Sequence, residues 1–236
     1  MRTTRGIFVT GTDTGVGKTA VAVALLRGLA AAGLPAVGMK PVAAGFEPGS
    51  AANADVIALT AAGGVAARPG DINPYAFAPA IAPHIAAARA GTAIDLAVIA
   101  AAYARLAAAA RAIVVEGAGG VLVPLGAETS MLDIADRLAL PVLLVVGIRL
   151  GCLNHALLSA EGIRARGLEL RGWVANRIDP AMPAADDNVA ALAARLPAPL
   201  IADVGWHGPG ATVAPWTAAQ LARLGFDAGD DPACRA

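Results

Sequence analysis

Residues 6–19 constrain this chain more than any other stretch. A short apolar run, 6–10, passes into the turn Gly11-Thr12-Asp13-Thr14-Gly15-Val16, and Gly17-Lys18-Thr19 then opens an apolar helical segment. A buried strand, a glycine turn and a helix start in that order build a cradle whose backbone N–H groups converge on phosphate oxygens. The helix N-terminus adds positive potential, Lys18 reaches the β and γ phosphates, and the Thr19 hydroxyl is placed to hold Mg2+. The usual spacing puts the first glycine at position 12; this chain has Thr12 there, after Gly11, so the loop is a variant.

The alternation begun by that segment continues along the chain. Apolar runs predict strands at 6–10, 35–40, 112–116, 141–146, 170–176 and 200–204. Helices are expected at 18–32, closed by Gly33, and at 54–62, 95–110 with Asp95 as N-cap, 131–138, 154–166 and 184–196. Residues 68–83 are proline-rich and carry no assigned element. A run such as Val142-Leu143-Leu144-Val145-Val146 is apolar on both faces, which belongs to a parallel sheet covered by helices on each side. The expected fold is one doubly wound, mostly parallel α/β domain of the P-loop NTPase type over residues 1–225, with a frayed acidic tail at 226–236. Ligands in such sheets bind beyond the carboxyl ends of the strands. Those ends carry Thr10-Gly11, Lys40, Glu116-Gly117, Gly147, Asn176-Arg177 and Val204-Gly205.

Composition matters most through its scarcities. Lys18 and Lys40 are the only lysines, against sixteen arginines. Lysine is a compact point charge on a flexible stem, so a chain that otherwise uses arginine keeps it where a small cation is needed. Lys40 follows a strand and precedes Pro41, which extends its backbone and lets the side chain enter the cleft as a second cation facing Lys18. Glu116, one of only five glutamates, ends a strand where P-loop proteins place their second-motif acid, and Asp55 opens the helix after the Lys40 loop. His155 has no visible acid partner and is assigned no role.

Hydrophobic residues reach 57% with only 4% aromatic, an excess due to alanine, and no run approaches the length of a spanning helix. Net charge is zero with scattered basic residues, so neither nucleic acid nor membrane is expected as a partner. The N-terminus lacks the pattern of a secretory signal, from which a cytoplasmic location follows as an expectation, with Cys152 and Cys234 as free thiols.

With these residues in hand the chain resembles the dethiobiotin synthetase family. The matching segments are Val9-Thr10-Gly11-Thr12-Asp13-Thr14, Gly17-Lys18-Thr19, Lys40-Pro41-Val42-Ala43, Asn73-Pro74-Tyr75, Pro83-His84, Val115-Glu116-Gly117-Ala118-Gly119-Gly120, Gly151-Cys152-Leu153-Asn154-His155 and Gly172-Trp173-Val174-Ala175-Asn176. They run in family order over roughly the first 205 positions and are together far more specific than the loop alone. The resemblance implies a homodimeric ATP-dependent cyclo-ligase that converts 7,8-diaminononanoate, CO2 and ATP to dethiobiotin, ADP and phosphate through a carbamate and a carbamic-phosphoric anhydride.

By the same resemblance, Gly15, Val16, Gly17, Lys18, Thr19 and Ala20 wrap the phosphates, and Thr19, Asp55 and Glu116 serve Mg2+. Lys40 and Lys18 are the catalytic cations. Glu116, Gly117, Ala118 and Gly119 line the nucleotide side, Asn176 and Arg177 meet the adenine, and Gly205, Trp206 and His207 close its pocket. Thr14, Lys40 and Ala44 lie at the diamine end. The turn Gly151, Cys152, Leu153 and Asn154 of the partner subunit receives the distant carboxylate. Two departures stand out: Ala44 replaces a common serine that contacts substrate, and Gly15 replaces an acidic residue found in some members.

Two other readings share the loop. Partitioning-type switch ATPases carry a signature lysine five positions before the P-loop lysine, and position 13 here is aspartate. Another amide-forming ligase of the superfamily would share ATP, Mg2+ and fold but not substrate.

Overall fold

The computed structural model describes residues 5–46, 52–208 and 212–226. The phosphate-loop unit forms as expected: β1 (Arg5–Gly11) leads through the loop to α1 (Lys18–Ala31), and β2 (Ala36–Met39) follows. After β3 (Val42–Ala44) come α2 (Ala54–Ala62), α3 (Pro69–Ile72), β4 (Tyr75–Phe77), α4 (Pro83–Arg89) and α5 (Leu96–Ala109). The remainder alternates as β5 (Ala112–Gly120), α6 (Met131–Arg137), β6 (Val142–Ile148), α7 (Cys152–Ala165), β7 (Leu170–Arg177), α8 (Ala185–Ala193), β8 (Leu200–Val204) and α9 (Ala218–Arg223).

Six strands form one sheet in the order β2-β5-β1-β6-β7-β8, with every neighbouring pair parallel. The chain first moves from β1 to the edge at β2, fills the gap with β5, then crosses to β6 on the other side of β1. Strand order therefore reverses at β1, and a crevice opens beyond its carboxyl end. A second, two-stranded parallel sheet pairs β3 with β4 beside that crevice.

Alternation within each strand sorts its side chains between two cores, as the unbroken apolar runs require. Val142, Leu144 and Val146 enter one core with Phe8, Ile113 and Val115, packed under α5 to α8. Leu143 and Val145 enter the other with Ile7, Val9 and Val114, under α1 and α9. Each such burial contributes about 1.5–3 kcal/mol, so a charge on either face of β6 would oppose folding.

The departures from expectation are local. β5 does not stop at Glu116 but runs through the glycines to Gly120, with a register shift against β1 between Val9 and Gly11. α7 starts at Cys152 rather than at the expected 154, with Gly151, at φ 93°, as its N-cap, so Asn154 lies in the first turn. The proline-rich stretch holds α3, β4 and α4, because Pro69 and Pro83 sit at helix starts, where the missing N–H costs nothing. α9 was not anticipated, although its capping box, Thr217 with Gln220, is visible in the chain. Packing reaches one residue past the expected boundary: Phe226 is buried against α1 and α9. The rest of the tail, with Cys234, lies outside the described residues, whereas Cys152 is a buried free thiol. Among the described residues no helix is long and apolar enough to cross a membrane.

Candidate active site

A cleft of about 710 Å3 lies beyond the carboxyl ends of β1, β2 and β5. The phosphate loop forms one wall. Gly15 and Gly17 have φ of 75° and 88°, values an L side chain resists. Gly17 is also the N-cap of α1, and a Cβ there would come within 2.1 Å of Asn176 Nδ2. That amide donates to the Val16 carbonyl at 2.8 Å, tying the end of β7 to the loop. Lys18 folds over the loop and donates to the Asp13 carbonyl at 2.8 Å. Burial pushes its ammonium down, repulsion from Lys40 adds to this, and Glu116, Asp55 and Asp13 pull back, leaving a pKa of about 8. Asp13 accepts the Thr14 N–H at 2.7 Å and pairs with Arg149 at 2.5 Å.

Three elements converge on a charged centre next to the loop. The Thr19 hydroxyl, at the start of α1, lies 2.8 Å from Asp55 Oδ1 and 2.9 Å from Glu116 Oε1. Lys40 Nζ lies 2.5 Å from the same Glu116 oxygen, 2.9 Å from Asp55 Oδ2 and 3.2 Å from the Gly117 carbonyl. Burial alone would lower the Lys40 pKa, but Glu116 and Asp55 beside it raise it above the ordinary lysine value. Burial likewise pushes Asp55 up, yet the Lys40 charge and the hydrogen bonds from Lys40 and Thr19 hold it below the usual carboxylate range.

Two asparagines, Asn53 and Asn73, set these groups in place. Asn53 caps α2 by accepting the Asp55 N–H at 2.9 Å and donates to the Gly45 carbonyl at 2.6 Å, so Asp55 is fixed relative to the β3 loop. Asn73 donates to the Lys40 carbonyl at 2.6 Å, and the Lys40 N–H reaches the Ile72 carbonyl at 2.8 Å. The capping rule could have found Asn53. For Asn73 the only signal was its place in the Asn73-Pro74-Tyr75 segment.

Of the expected residues, Thr14, Gly15, Gly17, Lys18, Thr19, Lys40, Ala44, Asp55, Glu116, Ala118 and Gly119 line this one cleft. Asn176 stands behind the loop, 1% exposed, with its Oδ1 buried and unpartnered. Arg177 is bound to Asp203 at 2.8 Å and to Asp186 at 2.6 Å, at the same sheet end as Gly205, Trp206 and His207. The Gly151 to Asn154 turn does not line the cleft of its own chain.

Strand reversal at β1 and a lysine-bearing glycine loop at that point make this a P-loop NTPase, an enzyme class that acts on nucleoside triphosphates. A family model described as an AAA domain matches residues 5–209. The chain is 55% identical over 197 residues to the ATP-dependent dethiobiotin synthetase BioD of Nitrosospira multiformis, covering 84% of this chain and 86% of that one. It is 48% identical over 232 residues to the protein of the same name from Janthinobacterium sp., covering 96% of each. Among solved structures, the cell division protein FtsY of Thermotoga maritima superposes with a TM-score of 0.51 at 15% identity, covering 96% of this chain and 69% of that one, a likeness of fold alone. The chain belongs to the ATP-dependent dethiobiotin synthetase family.

Proposed function

We propose that this cleft carries out its family's cyclo-ligase reaction, taking 7,8-diaminononanoate, CO2 and ATP to dethiobiotin, ADP and phosphate. The observation that carries the reading is the meeting of Lys18, Thr19, Lys40, Asp55 and Glu116 in one cleft. One amine of the substrate captures CO2 as a carbamate, a carbamate oxygen attacks the γ-phosphorus in line, and ADP leaves. The second amine then attacks the anhydride carbon, closing the cyclic urea and expelling phosphate. Catalysis here is positioning and charge stabilisation, and little proton chemistry falls to the protein.

Placement supports each role. Lys18 and the N–H groups of Gly15 to Ala20 hold the phosphates. Lys40 offsets the charge of the carbamate and the transferring phosphoryl group. Asn176 Nδ2 is held by Val16, which leaves the unpartnered Oδ1 to accept an N–H from the adenine amino group. Ala44 offers no hydroxyl, so the diamine end relies on Thr14 and Lys40. Thr19, Asp55 and Glu116 are all-oxygen donors with Glu116 Oε2 buried and unpartnered, a set that fits Mg2+ completed by phosphate and water. Mg2+ there would neutralise phosphate charge. Because the Gly151 to Asn154 turn does not line its own chain's cleft, a homodimer in which each turn completes the other subunit's site would let it receive the carboxylate. A cytoplasmic setting fits an enzyme that draws on ATP.

Purified protein given ATP, Mg2+, bicarbonate and 7,8-diaminononanoate should form dethiobiotin. Phosphate release indifferent to the diamine would overturn the assignment.

A further inference from the structure

We propose that the Lys40 ammonium and the divalent cation are alternative occupants of one oxygen cage, so that loading the metal hands Lys40 to the substrate. The proposal rests on the reading of Thr19, Asp55 and Glu116 as the residues that hold the metal.

An ammonium has three N–H donors, and Lys40 faces three acceptors: Glu116 Oε1 at 2.5 Å, Asp55 Oδ2 at 2.9 Å and the Gly117 carbonyl at 3.2 Å. Lys40 is 3% exposed, so in this geometry no donor is left to stabilise charge on a phosphoryl group. The acceptors are the same carboxylates that hold the metal. A divalent ion held by these two carboxylates would stand close to an ammonium bonded to both of them, and the two cations would repel.

The cage is also short of bonded positive charge. One ammonium is bonded to the two carboxylates, with Lys18 near them but bonded to the Asp13 carbonyl, and Glu116, 0% exposed, keeps Oε2 without a partner. The Thr19 hydroxyl approaches both carboxylates at 2.8 and 2.9 Å but has one proton, so one of these contacts is oxygen against oxygen. A cation of higher charge would relieve both defects. The exchange needs only the lysine stem to turn, because the main chain of Lys40 is pinned by Ile72 and Asn73 while its side chain has four rotatable bonds. Metal arriving alone must displace the ammonium with nothing to receive it. Metal arriving with a triphosphate brings phosphate oxygens that Lys40 can meet instead.

The test is Mn2+ binding without nucleotide, followed by the electron-spin signal of free Mn2+ on wild type, Lys40→Gln, Lys18→Met and Lys40→Gln with Glu116→Gln. Lys40→Gln should bind Mn2+ at least about tenfold tighter than wild type, the factor expected when the competent cage is a minor conformer. Its melting temperature should also rise more with Mn2+ than that of wild type, which separates cage filling from misfolding. Lys18→Met removes a nearby charge bonded to the Asp13 carbonyl and not to the cage, so it should tighten Mn2+ far less. Equal affinity in wild type and Lys40→Gln, or equal tightening in both lysine variants, would overturn the exchange. Tight Mn2+ binding that survives Glu116→Gln in the Lys40→Gln background would instead sink the metal assignment, and the proposal with it.

Discussion

At the scale of single residues the chain separates two lysines that chemistry could easily confuse. Burial, helped by Lys40, brings Lys18 to a pKa of about 8, whereas the carboxylates around Lys40 raise its pKa. A depressed lysine pKa means that the neutral amine appears early as pH rises, so at pH 8 about half of Lys18 is nucleophilic while Lys40 stays charged. An acylating reagent at pH 8 should therefore modify Lys18 in preference to Lys40, as read by peptide mass spectrometry. Lowering the pH to 7 should cut the reaction about fivefold, following the neutral fraction. ATP should protect the site, and equal modification of both lysines would contradict this assignment. Lysine scarcity was readable from the chain, and so was Lys18's phosphate role. The embrace of Lys40 by Asp55 and Glu116 was not, because its partners lie 15 and 76 residues away.

At the scale of elements, α1 makes the clearest case for context over propensity. Gly28 lies inside that helix, and replacing a helical glycine with alanine ordinarily stabilises by about 1 kcal/mol. Here the new Cβ would lie 2.6 Å from the Trp216 carbonyl oxygen and 2.9 Å from its nitrogen, main-chain atoms that cannot swing aside. Gly28→Ala should therefore lower stability by about 1–2 kcal/mol in denaturant unfolding, within the range for overpacking. A gain would show that the covering segment is free to lift. The long strands were legible because two-sided burial demands unbroken apolar runs. β3 and β4 were not, since three residues are too few to show a period, and prolines that read as breakers proved to be helix starters.

At the scale of the whole molecule, strand order brings residues far apart in the chain to one edge, and the expected sheet with its loop-lined edge is what the chain forms. What one subunit does not explain is Leu150, 93% exposed immediately before the Gly151 turn. If that turn serves the neighbouring subunit's substrate, Leu150 stands at the contact. Leu150→Glu should then shift sedimentation from dimer to monomer and depress dethiobiotin formation while leaving ATP binding intact. A dimer of full activity would place the contact elsewhere.

Residues 213–226 lie across the outer face of α1, with Trp216, Leu221, Leu224 and Phe226 in its core, and Arg5 of the first strand donates to the Gly225 carbonyl at 2.8 Å. Synthesis runs from the N-terminus, so the helix carrying Lys18 and Thr19 leaves the ribosome long before its cover does. Until residues 213–226 have emerged, the nascent chain carries a phosphate-loop helix whose outer apolar face is uncovered. A chain released after residue 212 should bind a hydrophobic dye that the full-length protein excludes; equal dye binding would show that the cover is dispensable.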